Sequence, residues 1–256
     1  ISGAIKRAAV RKHLRTWHSF DMLGEGARTM ADAQRYTDAY RAAISSLRRY
    51  DGQAVTDGDG ISIKLSAVEP RYEPTHAENI SRRLLPVLQD LALEACRANI
   101  HLTLDAEESW RLELSLDVLD ALLARLAMIP ETRHWSGLGI AVQTYQTRAP
   151  EVIDEVINLS RKYQRRLMVR LVKGAYWDSE IKRAQELGLF TYPVFTQKPA
   201  SDLCYLACAQ RMLKANDAIQ SAFATHNPLT LAAIQWMAHR ESVNDWEWQG
   251  LHGMGD

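Results

Sequence analysis

The stretch RLMVRLVKGAYWDSEIKRAQELG, residues 166–188, contains a strand pattern followed directly by a helix pattern. Its first part, 166–174, is a short aliphatic run typical of a buried strand. Its second part begins at Trp177, has the composition of a helix, and reaches Gly188, a residue type that favours helix termination. The stretch therefore predicts one β-strand followed directly by one α-helix.

The same alternation recurs on both sides of this stretch. The run ISIKLSA, residues 61–67, places Ile61, Ile63 and Leu65 on one face of a strand with period two. Further strands are predicted at 17–23, 100–106, 138–144, 219–227 and 245–255. Helices are predicted over about 31–50, 77–98, 113–127, 201–215 and 228–240, and another has Pro150 in its first turn.

About seven βα units predict a parallel sheet, because a crossover helix joins parallel neighbours. The sequence lacks a Rossmann glycine fingerprint, which favours a distorted (βα)8 TIM-like barrel over an open doubly wound sheet. Because the chain stops at Asp256 directly after a predicted strand, we expect the barrel to be truncated before its eighth unit. A basic helix is expected over residues 1–16, with the barrel over 17–256.

Composition excludes several classes of protein. Hydrophobic residues make up 46% and charged residues 24% of the chain, which is ordinary for a globular protein. Basic and acidic residues both number 31, so bulk attraction to nucleic acid is not indicated. No apolar run reaches the roughly 18 residues that cross a bilayer, and the first residues do not show the pattern of a secretory leader, so secretion is not expected. The odd cysteine count predicts reduced thiols in a cytosolic protein.

Polar residues stand near the ends of four successive predicted strands: Lys64, Asp105, Gln143 and Arg170. In barrels of this class the active site forms at the carboxyl ends of the strands, so these residues are candidates for a site. Lys64 and Asp105 are expected to pair, which keeps the lysine charged and able to hold a carboxylate. Gln143 offers a donor and an acceptor to a heterocycle, and Arg170 offers positive charge to an electron-rich ring.

The segment 170–180 is the densest in candidate ligand contacts. Gly174 permits close backbone approach, Tyr176 and Trp177 offer stacking surfaces, and Lys173 offers a phosphate contact. Lys198 and the ATHN stretch, residues 224–227, offer further phosphate contacts, although Thr225 or Asn227 also suits a helix cap. The sequence contains no spacing typical of a zinc site or a P-loop, and we expect no metal centre.

Two alternative functions remain open on the residues alone. Lys64 or Lys173 at a strand end also suits a Schiff-base aldolase. The first fifteen residues contain five basic and no acidic side chains, Lys6, Arg7, Arg11, Lys12 and Arg15. That helix suits a non-catalytic scaffold or regulatory module that contacts DNA or a membrane.

The chain resembles the proline dehydrogenase domain of the bacterial bifunctional flavoproteins of the proline utilization A family. The motifs that carry the resemblance are FDMLGE at 20–25, GISIKLSA at 60–67, DAEES at 105–109, RLVKGAYWDSEIKRAQ at 170–185, ATHN at 224–227 and LHGMG at 251–255. The resemblance runs from about Trp17 to the end. It implies a distorted (βα)8 barrel that binds FAD and oxidises L-proline to Δ1-pyrroline-5-carboxylate by hydride transfer to flavin N5.

The resemblance also implies roles for individual residues. The residues implied at the substrate are Lys64 on the proline carboxylate, Asp105 at the substrate and flavin edge, Arg170 near flavin N5, Tyr176 and Leu251 around the proline ring, and Asp21 and Glu25 at the mouth. The residues implied around FAD are Gln143, Arg170, Lys173, Gly174, Ala175, Tyr176, Trp177, Thr196, Lys198, Thr225, His226, Asn227 and Gln249.

The resemblance further implies partners and a location. It implies that electrons pass to a membrane quinone and that an aldehyde dehydrogenase domain belongs to the same polypeptide. Nothing in the sequence resembles a DNA-binding domain, so nucleic acid binding is not indicated. The protein is expected in the cytoplasm and peripherally on the membrane when reduced. The arginine pair, tyrosine and glutamate that the family carries on its final helix do not occur in these 256 residues, so binding of FAD and proline is expected to be weakened.

Overall fold

The computed structural model describes residues 2–9, 16–22, 26–48 and 54–254. The strands are β1 (Ser19–Asp21), β2 (Gly60–Ile63), β3 (His101–Leu104), β4 (Leu138–Gln143), β5 (Leu167–Val172), β6 (Ile219–Ala224) and β7 (Trp246–Gln249). The helices are α1 (Ser2–Ala9), α2 (Met30–Leu47), α3 (Leu65–Val68), α4 (Ala77–Asn79), α5 (Leu85–Ala98), α6 (Leu112–Ala127), α7 (Ala149–Lys162), α8 (Trp177–Glu186), α9 (Lys198–Lys214) and α10 (Pro228–Arg240). Strand order in the sheet is the chain order.

The described residues divide into two compact units. The first unit takes its residues from Ile1–Asp105 and Arg111–Gly139, and the second from Ala106–Trp110 and Ile140–Asp256. Each unit is built from parallel strands with helical connections, as repeated βα units require.

In the first unit, β1, β2 and β3 are parallel neighbours. The register places Asp21 beside Ser62 and Ile63 beside Leu104, so the three strands end at about the same level. Every residue of β2 and β3 is buried. Burial on both faces is expected for a parallel sheet covered by helices.

In the second unit, β5, β6 and β7 are parallel neighbours. The register places Arg170 beside Ala222, and Ala222 beside Glu247. The backbone N–H of Thr144, directly after β4, donates to the Val172 carbonyl oxygen at 2.9 Å. The ends of β4 and β5 are therefore adjacent.

The predicted strands are found, but their ends differ from the prediction. The strand predicted over 61–67 stops at Ile63, and the next residues form the helical turn α3. All four residues of α3 are buried, so Leu65 is apolar because it lies in the core and not because a strand continues. The strands predicted over 17–23, 219–227 and 245–255 are likewise shorter in the structure, as β1, β6 and β7.

Helix boundaries follow their local signals more closely. Asn227 caps α10, because its Oδ1 accepts the Thr230 N–H at 3.0 Å. Pro150 lies in the first turn of α7, and Gly188 adopts φ +61° after α8, as predicted. The helix predicted over 77–98 contains a π turn over Ile80–Leu84. We attribute this widened turn to Pro86, which has no N–H to donate to the preceding turn.

Within the described ranges, the structure contains no helix of sufficient length and apolarity to span a membrane. The same part of the chain contains no group of three or more His, Cys, Asp or Glu side chains arranged to hold a metal ion. The cysteines Cys96, Cys204 and Cys208, all within the described ranges, are not in disulfides, and the sulfur atoms of Cys204 and Cys208 lie 4.0 Å apart on α9.

Candidate active site

Three strand ends of the first unit bring one lysine between two carboxylates. Lys64 directly follows β2, Asp21 ends β1 and Asp105 directly follows β3. The Lys64 Nζ lies 3.0 Å from Asp21 Oδ2 and 3.2 Å from Asp105 Oδ2. The predicted pairing of Lys64 with Asp105 is thus present, and Asp21 is a second partner. The formal charges of the three groups sum to −1.

Burial and charge act in opposite directions on Lys64. Burial alone would lower the pKa of the ammonium, but the attraction of Asp105 and Asp21 outweighs burial, so the pKa is raised. Lys64 therefore stays charged throughout the neutral range. The Tyr40 hydroxyl on α2 accepts the Lys64 backbone N–H at 3.3 Å and fixes the end of β2. Burial raises the pKa of Tyr40 to about 12.

In the second unit, Gln143 ends β4 and joins two loops. Its Nε2 donates to the Glu107 carbonyl oxygen at 2.8 Å, and its Oε1 accepts the Ala175 N–H at 3.1 Å. The amide is buried, so these bonds fix its orientation. A primary amide has a second hydrogen and a second lone pair, so a heterocycle can still be contacted.

A chain of two hydrogen bonds links β5 to β7. The Arg170 Nε donates to Gln249 Oε1 at 2.6 Å, and the Gln249 Nε2 donates to Glu247 Oε1 at 2.6 Å. Desolvation by burial raises the pKa of Glu247, against the opposing effects of Gln249 and Arg170. The guanidinium proposed for the flavin is therefore held in place by its neighbours.

One carboxylate is shared by both candidate phosphate-binding lysines. Asp202 on α9 lies 2.5 Å from the Lys173 Nζ and 2.7 Å from the Lys198 Nζ. These two lysines lower the pKa of Asp202 through their hydrogen bonds. The formal charges of the three groups sum to +1, which is the sign that an anionic ligand requires.

The residues after β5 are shaped by close packing. Gly174 adopts φ +144°, and a Cβ at that position would lie 2.4 Å from the Tyr145 ring. The close approach expected of Gly174 is therefore made to Tyr145. Tyr176 precedes α8 and is half-buried, whereas Trp177 is exposed and donates its indole N–H to the Phe195 carbonyl oxygen at 3.0 Å.

The candidate residues around α10 form two local pairs. The Thr225 Oγ1 accepts the Asn227 N–H at 3.1 Å, and the His226 Nε2 accepts the Leu251 N–H at 3.0 Å. The Leu251 side chain is exposed. Thr196 is exposed before α9. Glu25 lies outside the described residues, so its expected place at the mouth stays a prediction.

Four residues that the sequence did not single out fix neighbouring groups in the structure: Tyr40, Asp202, Glu180 and Glu247. Glu180 on α8 is buried and accepts both the N–H of Ser109 at 2.5 Å and its hydroxyl at 2.6 Å. In the sequence, the WDSE stretch indicates that Glu180 lies near the start of a helix, but nothing there indicates its distant partner Ser109. For Glu247, a usable signal was present, because WEWQ places Glu247 and Gln249 on one face of a strand.

The geometry disfavours the Schiff-base alternative. A lysine nucleophile must lose its proton, and enzymes achieve this by lowering its pKa. In contrast, the pKa of Lys64 is raised, and Lys173 forms an ion pair with Asp202. Lys64 is therefore arranged to remain a cation, and the Lys173 ammonium is engaged by a carboxylate.

Parallel βα units with charged side chains at their strand ends are typical of βα-barrel enzymes, whose active sites form at the carboxyl ends of the strands. The family model described as proline dehydrogenase matches residues 4–256. The chain belongs to the proline dehydrogenase family, as the sequence motifs indicated.

Curated relatives and solved structures agree with this assignment. The bifunctional protein PutA of Escherichia coli strain K12 is 48% identical over 241 residues, which are 93% of this chain and 18% of the relative. The PutA of Rhizobium meliloti is 45% identical over 254 residues, covering 99% of this chain and 20% of the relative. The chain thus spans about a fifth of the length of these proteins.

A crystal structure of a Bradyrhizobium japonicum proline utilization A mutant matches with a TM-score of 0.88 and 52% identity, covering 94% of this chain and 24% of that one. Proline utilization A of Bdellovibrio bacteriovorus, inactivated by N-propargylglycine, matches with a TM-score of 0.89 and 26% identity, covering 98% and 27%. Together with the strand order, these likenesses confirm the predicted class, a distorted (βα)8 barrel with about seven βα units in the sequence.

Proposed function

We propose that the chain carries an FAD-dependent site that oxidises L-proline to Δ1-pyrroline-5-carboxylate. The observation that carries the proposal is the Lys64 ammonium, held charged at a strand end of a chain that belongs to the proline dehydrogenase family. The substrate is a zwitterion. Lys64 suits its carboxylate, and an aspartate of the same cluster suits its ammonium group.

The second unit fits the proposed cofactor. FAD presents an anionic pyrophosphate and a flat heterocycle with donors and acceptors at its edge. The Lys173, Lys198 and Asp202 group has net positive charge, and the N-terminus of α10 presents backbone N–H groups. We propose that the cofactor is held by Gln143, Arg170, Lys173, Gly174, Ala175, Tyr176, Trp177, Thr196, Lys198, Thr225, His226, Asn227 and Gln249. When bound, FAD supplies the acceptor for two electrons, taken up as a hydride.

The side chains position and neutralise charge. Lys64 holds the proline carboxylate in place of one aspartate, and Asp21 is the easier one to displace because 48% of its side chain is exposed against 14% for Asp105. Tyr176 and Leu251 are proposed to border the proline ring, with Asp21 and Glu25 at the mouth. Arg170 provides positive charge where negative charge develops.

The proposed reaction balances without a metal ion. Proline loses a hydride from Cδ, the ring carbon bonded to nitrogen that does not bear the carboxylate, and a proton from the nitrogen, and the bond between Cδ and nitrogen becomes a double bond. The two electrons finally reduce a quinone to a quinol. A fixed substrate carboxylate restricts the ring to one orientation, which lowers the entropic cost of reaching the transition state.

The remaining context is also proposed from the family. The barrel is assigned to residues 17–256, preceded by the basic segment 1–16. We propose a membrane quinone as electron acceptor, peripheral membrane contact when reduced, a cytoplasmic location and an aldehyde dehydrogenase domain in the same polypeptide. The relatives are named as bifunctional proteins, which supports the last point.

The visible spectrum tests the proposal. The purified chain is incubated with FAD, desalted, and then mixed with L-proline without oxygen. We expect retained flavin bands that bleach with proline, and no bleaching in Lys64→Met, which keeps an unbranched side chain of similar length and removes the charge. A matched control is Lys182→Met, a lysine with 76% of its side chain exposed. Equal bleaching in Lys64→Met and the control would contradict the proposed role of Lys64.

Two further outcomes separate cofactor from substrate binding. Retained bands that do not bleach would place the cofactor site within these residues and require substrate contacts outside them. If neither this chain nor a longer chain of the same protein retains flavin, the proposed function is wrong.

A further inference from the structure

Glu247 on β7 is a carboxylate that neither the motifs nor the proposed chemistry uses. It is partly buried and lies at one end of the chain of hydrogen bonds that runs through Gln249 to Arg170. We propose that Glu247 is a positioning residue, which sets the direction of the Gln249 amide and through it the orientation of the Arg170 guanidinium. Its meaning for catalysis rests on the proposed function, whereas its effect on Arg170 does not.

The sheet register brings these groups together. Arg170, Ala222 and Glu247 are neighbours in one row across β5, β6 and β7. The middle residue has only a methyl side chain and is fully buried. A small residue there leaves room for the long side chains on either side to meet. Gln249 lies two residues after Glu247, so it is on the same face of β7.

The Gln249 amide accepts hydrogen bonds at its oxygen and donates them at its NH₂, so its orientation determines which neighbour each end can contact. A guanidinium has only donors, and an ionised carboxylate has only acceptors. Gln249 therefore satisfies both neighbours only with its oxygen toward Arg170 and its NH₂ toward Glu247. A flipped amide would place donor against donor at Arg170 and acceptor against acceptor at Glu247. The carboxylate thus selects one of two amide orientations.

Both bonds are charge-assisted, since each has one ionic partner. Such bonds are stronger than those between neutral groups, and both are short at 2.6 Å. Asp245, two residues before Glu247, forms an ion pair with the Arg166 guanidinium at 2.5 Å. Glu247 is therefore the carboxylate that orients Gln249.

The primary test needs no cofactor. The protein is labelled with ¹⁵N at arginine Nε, the Arg170 signal is identified by its loss in Arg170→Lys, and hydrogen exchange at Nε–H is measured. In Glu247→Ala we expect exchange about tenfold faster, as the loss of a charge-assisted bond implies. Glu247→Gln keeps the size but accepts either amide orientation, so we expect an intermediate increase. Glu155→Gln, an exposed carboxylate on α7, is the matched control and should change nothing.

A double-mutant cycle distinguishes orientation through Gln249 from a general loss of structure. In a Gln249→Met background, Glu247→Ala should produce no further increase in Arg170 exchange, because the connecting amide is already absent. An unchanged exchange rate in both Glu247 variants would overturn the proposal, as would an equal effect with and without Gln249. The comparison uses variants whose unfolding midpoints match the parent, and Glu247→Gln serves if Glu247→Ala does not fold.

The second test connects the inference to the proposed reaction. In the FAD-loaded protein, Glu247→Gln should slow proline-driven bleaching severalfold and leave the half-saturating proline concentration unchanged, because the substrate clamp is untouched. If the parent does not bleach, the proposed function fails, while the exchange result still decides the orientation of Arg170. If the parent bleaches and Arg170 exchange is unaffected, the inference alone fails.

Discussion

Replacing Lys64 with methionine should destabilise the fold by about 3 kcal/mol at pH 7. The side chains of Lys64 and Asp105 are 15% and 14% exposed, and their charged atoms lie 3.2 Å apart. At an effective dielectric constant of about 20, this distance corresponds to an attraction of about 5 kcal/mol. Part of this is offset by desolvation, and breaking a buried pair typically costs about 3–5 kcal/mol. We take the lower end because Asp105 retains some solvent.

Urea unfolding of the parent, Lys64→Met and Asp21→Asn measures the effect. Asp21 is 48% exposed, so its loss should cost only about 0.5 kcal/mol, within the range of exposed pairs. The double variant of Lys64→Met with Asp105→Asn should recover a substantial part of the loss, because no buried carboxylate is left without its lysine. A cost below about 1 kcal/mol, or the absence of recovery, would refute the reasoning.

The pH dependence has a definite sign. The folded-state pKa of Lys64 is raised, so its contribution is fully present below the ordinary lysine pKa and is lost as the pH rises through the raised value. The difference in unfolding free energy between the parent and Lys64→Met should therefore be constant across the neutral range.

Three further experiments test other parts of the structure. Gly174→Ala should lower the unfolding free energy by more than about 3 kcal/mol, because it combines positive φ with a steric collision. Gly188→Ala also has positive φ but has no neighbour within 4 Å, so it should cost about 1 kcal/mol. Calorimetry of the two variants compares these costs. Glu180→Ala should destabilise by about 2 kcal/mol, and much less in a Ser109→Ala background, as a double-mutant cycle in urea would show. Asn227→Ala should cost about 1 kcal/mol through the lost cap, measured by thermal unfolding.

The sequence predicted the strands well where side chains are buried on both faces. Aliphatic runs such as the one around Val169 are required in a parallel sheet covered by helices, and little else fits there. Strand ends were harder to predict, because a buried helical turn needs apolar residues as much as a strand does. Leu65 illustrates this, since it continues the alternation of β2 but belongs to α3.

The candidate site shows a similar contrast, between contacts that the sheet determines and contacts that individual side chains make. The pairing of Lys64 with Asp105 was predictable, since successive strand ends of a parallel sheet meet at one edge. The second partner, Asp21, was known only as a family position, because its strand has three residues and almost no pattern. Side chains that act through others were missed for a physical reason. Asp202 also pairs with Lys173, and Glu247 acts on Arg170 through Gln249; local patterns reveal Lys198 and Gln249 but not these partners on other elements.

The charge balance of the two clusters gives the strongest physical argument for the proposed chemistry. Lys64 with its two aspartates carries both signs and an excess of negative charge, so it suits a zwitterion whose amine must also be bound. The group of Lys173, Lys198 and Asp202 has an excess of positive charge, so it suits a ligand with only anionic groups. A protein that bound two similar ligands would have no need of opposite balances. An amino acid substrate and a dinucleotide cofactor differ in charge, and the two clusters differ in the matching way. The net charge that remains after the existing ion pairs are counted determines which ligand each cluster attracts.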